Sequence, residues 1–194
     1  MSDQDGLEAR DGVQAVTAAA RRALETGDLR EASSVVLQHA VRITGSEYGF
    51  FSVAMEGPFE RLLSMEGFHW HETINREFYE AAMKGFSHSG YLDFYNVANL
   101  AGRAITHNEV VLANSPATDP RAAGLPPGHP PLNCFLGTPF RKDGAVAAVI
   151  GLANRPGGYG AAQIADVEML AEAACAVSDY YHSMRRPQAA SSGG

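Results

Sequence analysis

Cysteine is scarce in this chain: Cys134 and Cys175 are the whole supply among 194 residues. Two thiols cannot build a disulfide framework, and both read as small buried hydrophobes, one in a strand and one in a helix. Basic residues are outnumbered, 15 lysines and arginines against 22 acids, for a formal net charge of −7, and they form no run. That excludes the clustered positive footprint a nucleic-acid partner requires. No apolar stretch nears the roughly 20 residues that span a bilayer, and residues 1–10 are polar, so neither a membrane segment nor a signal peptide is read. There is no internal repeat. What remains is a chain with 45% apolar and 19% charged residues, enough for one ordinary core. The expectation is a cytoplasmic protein.

Periodicity supplies the elements. Residues 1–11 are polar and read as a disordered N-terminus; residues 12–25 keep a helical period through Val13, Val16, Ala20 and Leu24. Gly27-Asp28 breaks that helix, and a second is expected over 29–43 until Thr44-Gly45. Residues 47–55 and 60–66 read as a strand pair across Gly57-Pro58. An amphipathic helix is expected over 73–84, and the aromatic, glycine-punctuated stretch 86–100 suits a lid or pocket wall. A short strand at 110–113 and a Pro-rich loop over 114–131 follow, then strands at 134–140 and 145–153 that are apolar on both faces. That pattern belongs to a sheet covered on both sides. One long helix over 161–184 closes the domain, and 185–194 reads as a flexible tail. The order is α+β: a single domain over 12–184.

The most specific wording lies in residues 128–160, GHPPLNCFLGTPFRKDGAVAAVIGLANRPGGYG: a Pro-closed loop, a strand, an Asp-Gly turn, a second strand and a Gly-rich exit. It resembles the GAF domain, in the bacterial sensory branch that writes GHPP-L-x-x-FLG-x-P before the hairpin and GLANRPGGY after it. The resemblance implies a central antiparallel sheet with the terminal helices on one face and a ligand pocket on the other. It implies a regulatory domain that binds a small molecule and biases an output domain or protein. Pairing of the terminal helices into a homodimer is expected, because helix 12–25 precedes the fold proper and has no sheet of its own to cover.

Candidate pocket residues follow. His129 sits between fixed prolines, and in haem-binding relatives of this wording the His of the HPP motif is the proximal ligand, so His129 is the candidate axial ligand of a haem iron. Same-register counting puts Gly151 where those relatives place a distal Tyr, leaving room for a ligand and no hydrogen bond to it. Trp70, Phe78, Tyr91 and Phe94 concentrate aromatic area suited to a flat ligand, or to an ordinary core. Cys134 and Leu136 share one strand face by alternation, and the ligand is expected between that face and residues 70–100, near Asn114 and His129. The His69/His71 pair has no third ligand nearby in sequence. Gly157-Gly158 lacks the Lys-Ser/Thr of a phosphate loop. Two cysteines are too few for a free-methionine-sulfoxide reductase, and neither bilin nor cyclic-nucleotide wording is present. A small pocket enzyme with redox or hydrolytic activity is the remaining alternative, although no nucleophile–base–acid set is visible.

Overall fold

Among the described residues, six strands pair antiparallel, and their register decides which side chains meet. The computed structural model describes residues 3–57, 59–67, 80, 84, 90–125 and 129–185. β1 (Tyr48–Ala54) and β6 (Ala145–Ala153) form the centre of the sheet. β2 (Glu60–Gly67) and β3 (Leu92–Phe94) extend one side; β5 (Phe135–Lys142) and β4 (Val111–Ala113) extend the other. The order is β3-β2-β1-β6-β5-β4. Asp143 and Gly144, with φ of 51° and 82°, make the two-residue turn between β5 and β6. Positive φ at both positions gives the turn a twist that matches the flanking strands.

Alternation sends Phe51 and Val53 of β1, and Leu136, Phe140, Ala148 and Ile150 of the β5–β6 hairpin, into a core beneath the helices. Among the described residues, four helices build that layer. α1 (Asp3–Glu25) contributes Ala20 and Ala23, and α2 (Leu29–Thr44) contributes Val36, Leu37 and Ala40. Asp28 caps α2 by accepting from the Glu31 amide, and Gly45 ends it in the left-handed region. α1 thus begins upstream of residue 12; its Ala20 and Ala23 are covered within the chain, while Ala15 and Ala18 stay exposed. The single closing helix expected over 161–184 is two. A short helix over Ala161–Glu168 gives way, at Met169-Leu170, to a longer one over Ala171–Arg185. Leu170 bonds back three residues to Val167 (3.0 Å), and that tighter turn lets Val167, Leu170 and Ala174 all stay buried.

Two elements replace part of the expected irregular middle. β3 pairs Phe94 with Glu60 and Leu92 with Leu62. Its edge is held by Arg61, whose guanidinium makes a two-pronged pair with Asp93 (2.5 and 2.7 Å), lies 3.7 Å over the Tyr91 ring and donates to the Tyr181 hydroxyl. α3 (Leu100–Thr106) is capped by Asn99, which accepts from the Gly102 amide at 2.9 Å. With the order of helices now set, the closing pair are α4 (Ala161–Glu168) and α5 (Ala171–Arg185). α3 packs Leu100 and Ala104 onto Phe135 and Val149, on the sheet face opposite the other helices. The helix expected over 73–84 lies outside the described residues, apart from positions 80 and 84. No helix among the described residues is long and apolar enough to cross a membrane.

Glycine makes the floor of that second face. A Cβ on Gly151 would stand 2.2 Å from the Phe50 ring, and one on Gly137 would stand 2.9 Å from the Phe135 ring. The two glycines are cross-strand partners, so both rings lie down on bare backbone. Gly151 therefore makes room for the Phe50 ring, beside the cavity that both residues line. Gly151→Ala should cost about 1–3 kcal/mol by overpacking. In a Phe50→Ala background the cost should nearly vanish, read by urea unfolding of the four proteins of the cycle. Additive costs would contradict this packing.

Candidate functional site

Between this floor and the segments over it lies a cavity of about 630 Å³. Tyr48, Phe50 and Phe135 rise from the sheet, Leu62, Leu92 and Phe94 form one side wall, and Leu100 and Ala101 of α3 form another. Residues of the 116–125 loop close over it. The lining is predominantly apolar, as small-molecule sites are, with few polar groups to orient an occupant. Glu60 and His129 are two of these.

His129 reaches the cavity because its loop is clamped. Asn154, at φ 60°, accepts from the Asn133 amide and donates to the Pro131 carbonyl, both at 2.8 Å. Tyr48 donates its hydroxyl to the same carbonyl at 3.2 Å. The imidazole Nδ1 lies 2.8 Å from the Pro130 carbonyl, which only accepts, so Nδ1 carries the proton and the lone pair is on Nε2. Burial pushes the imidazole pKa down, against the opposing pull of the Pro130 bond, so the ring is neutral at pH 7.

Glu60 is the residue that sequence reasoning missed. It is 4% exposed, and its Oε2 accepts from Ser52 at 2.7 Å, its one hydrogen bond among the described residues. Burial, only partly offset by the Ser52 bond, pushes its pKa up to about 7. The strand pattern gave little warning: alternation groups Glu60 with Leu62, Ser64 and Glu66, a mixed set with one apolar member.

Of the residues expected to surround a ligand, Phe94 and His129 line the cavity. Tyr91 lies under Arg61 and packs against the core on the helix side. Leu136 is fully buried on that same side, and Cys134 belongs to the same core, so the face expected to meet the ligand meets the terminal helices instead. Both faces of β5 are apolar, and alternation alone could not choose between them; Phe135 faces the cavity. Asn114 sits with Cys134 in a separate polar cleft, where its side chain donates to the Tyr159 carbonyl (2.9 Å) and accepts from the Tyr159 amide (2.8 Å). Trp70 and Phe78 lie outside the described residues, as do His69 and His71. Burial pushes the thiols of Cys134 and Cys175 up, away from the thiolate that nucleophilic chemistry needs. Among the described residues, no group of three or more His, Cys, Asp or Glu is placed to hold a metal ion.

Glu60 has a stability consequence with a definite sign. Its folded pKa lies above the unfolded value, so its full contribution is present below about pH 4.5 and is lost as pH rises through about 7. At 1.36 kcal/mol per pKa unit, the loss is about 3 kcal/mol. Glu60→Gln removes the charge and keeps the shape. It should be more stable than the parent at pH 8 by roughly that amount and about equal at pH 4.5, measured by chemical unfolding at both pH values. A difference independent of pH would refute the burial of an ionisable Glu60.

Comparisons with known proteins agree with this architecture. The GAF domain of a phosphoenolpyruvate-protein phosphotransferase from Acinetobacter superposes with a TM-score of 0.68 at 18% identity, covering 94% of this chain and 97% of that one. The corresponding domain from Coxiella burnetii gives 0.62 at 12% identity, covering 91% and 96%. A free methionine-R-sulfoxide reductase from Neisseria meningitidis, solved with its substrate, gives 0.57 at 12% identity, covering 95% and 94%. At these identities the likeness is one of fold. No curated protein matches the sequence. The family model described as GAF domain matches residues 26–176, most of the chain, and with the sheet order and helix placement above this chain belongs to the GAF domain family.

Proposed function

We propose that this chain is a regulatory GAF domain of bacterial signal transduction that senses a small molecule in the cavity over β1, β2 and β6. Family membership supports a sensory or regulatory role, since GAF domains commonly serve one. The observation that carries the ligand reading is the cavity itself. About 630 Å³ of mostly apolar space, with two oriented ionisable groups, exceeds what a packed core leaves empty. Residues 12–184 would form the sensing domain, working in the cytoplasm on an output domain or protein. Pairing of two copies along the outer faces of α1 and α5 remains our reading of how that output is reached. Its support is that these helices lie side by side on the face away from the cavity, joined by the Arg21–Glu172 ion pair. Against a thiol-based form of the catalytic alternative, burial pushes both thiols up, toward the protonated form.

Haem is a second reading, and one observation favours it. With Nδ1 bound to the Pro130 carbonyl, His129 is in the tautomer an axial ligand uses. His129 would hold the iron, and the haem would supply gas or electron binding. The charge of the wall does not suit the group: among the described residues no lysine or arginine lines the cavity to pair with haem propionates, and the one acid that lines it is Glu60. His129→Ala should abolish any Soret band formed on adding haem while leaving far-ultraviolet circular dichroism unchanged.

The ligand reading is tested by filling the space. A thermal-shift screen of small metabolites should yield hits on the parent protein that slow amide exchange in β3 and α3. Ala101→Trp, which places an indole in the cavity, should fold and lose those hits. Hits that survive Ala101→Trp and protect α1 and α5 instead would put the site on the other face of the sheet. Light scattering should give twice the protomer mass at micromolar concentration, and a protomer mass throughout would remove the pairing.

A further inference from the structure

We propose that the occupant of this cavity is an apolar amine whose protonated nitrogen pairs with the Glu60 carboxylate. The inference rests on the ligand-sensing reading and names the chemical class it would take. A carboxylate buried at 4% exposure needs a counter-charge or enough hydrogen-bond donors to stay ionised. Glu60 receives one hydrogen bond, from Ser52, and no cationic side chain lines its cavity among the described residues. Arg61, its neighbour in sequence, points through the opposite sheet face, where Asp93 and Tyr181 occupy it. The protein thus presents an oriented acid at the end of an apolar chamber and leaves the opposite charge to be supplied.

A cationic nitrogen carried on an apolar body answers both parts of the wall. The body would lie among Leu62, Leu92, Phe94 and Leu100, and the nitrogen would reach the carboxylate. Folding has already removed water from Glu60, so most of the desolvation cost falls on the ligand alone, and the attraction acts in a low-dielectric space. A carboxylate-bearing ligand would add a second acid to a wall that already holds one. A wholly apolar ligand would fill the space and leave Glu60 as it is.

Protonation agrees with this arrangement. Glu60 titrates near 7 without an occupant, because burial disfavours its charge. An ammonium beside it would pull that pKa down, so binding at pH 7 should release a proton from Glu60 to solvent. The other titratable groups on the wall, Tyr48 and His129, are both held neutral at this pH by burial. On β3, Asp93 points away into Arg61, and on α3 Arg103 is held by Glu109.

The test uses matched probes on the full chain. Tryptamine carries the ammonium, 3-propylindole replaces it with a methyl group, and indole-3-propionate replaces it with a carboxylate; 2-phenylethylamine and propylbenzene repeat the first pair with one ring. Calorimetric titration at pH 8 should show each amine binding at least tenfold more tightly than its neutral counterpart, with indole-3-propionate weakest. Titration at pH 7 in two buffers of different ionisation enthalpy should show proton release. In Glu60→Gln the amine preference should disappear while the neutral probes still bind; retained neutral binding also shows that the variant is folded. Equal affinity of amine and neutral probe would overturn the amine inference and leave the cavity's role as a ligand site standing. An amine preference that persists in Glu60→Gln would overturn it as well, because another group would then be reading the charge. Failure of every probe to bind would overturn both readings.

Discussion

The architecture depends on the register of the β5–β6 hairpin. Asp143 and Gly144 close it in two residues, and a bulge at Ala147, between the Phe140–Ala148 and Arg141–Val146 pairs, sets the register of the rest. A shift by one residue would send Leu136 and Ile150 into the cavity and Phe135 and Val149 under the terminal helices. It would also move Gly137 and Gly151 away from the rings that rest on them. Because β1 pairs with β6 in continuous register, the position of Phe50, and through Ser52 the hydrogen bond to Glu60, follows from the same turn.

The sheet separates two electrostatic environments that are adjacent in sequence. On β2, Glu60 faces an apolar cavity and Arg61 faces the helix layer, where it has the Asp93 carboxylate, the Tyr91 ring and the Tyr181 hydroxyl as partners. The two opposite charges cannot neutralise each other across the backbone, so one is satisfied and the other is left protonated near neutrality. β3 repeats the arrangement. Leu92 and Phe94 are cavity wall, and Asp93 between them joins Arg61 and, through it, α5. The Arg61 guanidinium therefore links the wall to the C-terminal helix.

Much of this was legible in the amino-acid order. The two N-terminal helices, the β1–β2 pair and the β5–β6 hairpin carry strong period and turn signals, and the 128–160 wording carried the family. The motif residues turn out to be fasteners: Asn154 clamps the His129 loop, and Arg155 donates to the Gly158 carbonyl at 2.7 Å. β3 and α3 were not legible, because three and seven residues are too few for a period, and α3 carries Gly102 in its middle. Gly102 is there for space, since a Cβ would meet the Val97 backbone at 2.3 Å. The inward face of β5 was ambiguous because both its faces are apolar. Glu60 was passed over as a hairpin end, and only the pairing with β3 encloses it.

The central claim is that an ionisable acid is buried in the wall of a ligand-sized cavity with no counter-charge among the described residues. Its most direct test is a carbon-13 NMR titration of the Glu60 side-chain carboxyl in the unliganded protein, assigned by its loss in Glu60→Gln. The account predicts a midpoint near pH 7. A midpoint at the ordinary glutamate value of about 4.3 would mean that Glu60 is solvated or paired, and would contradict the account.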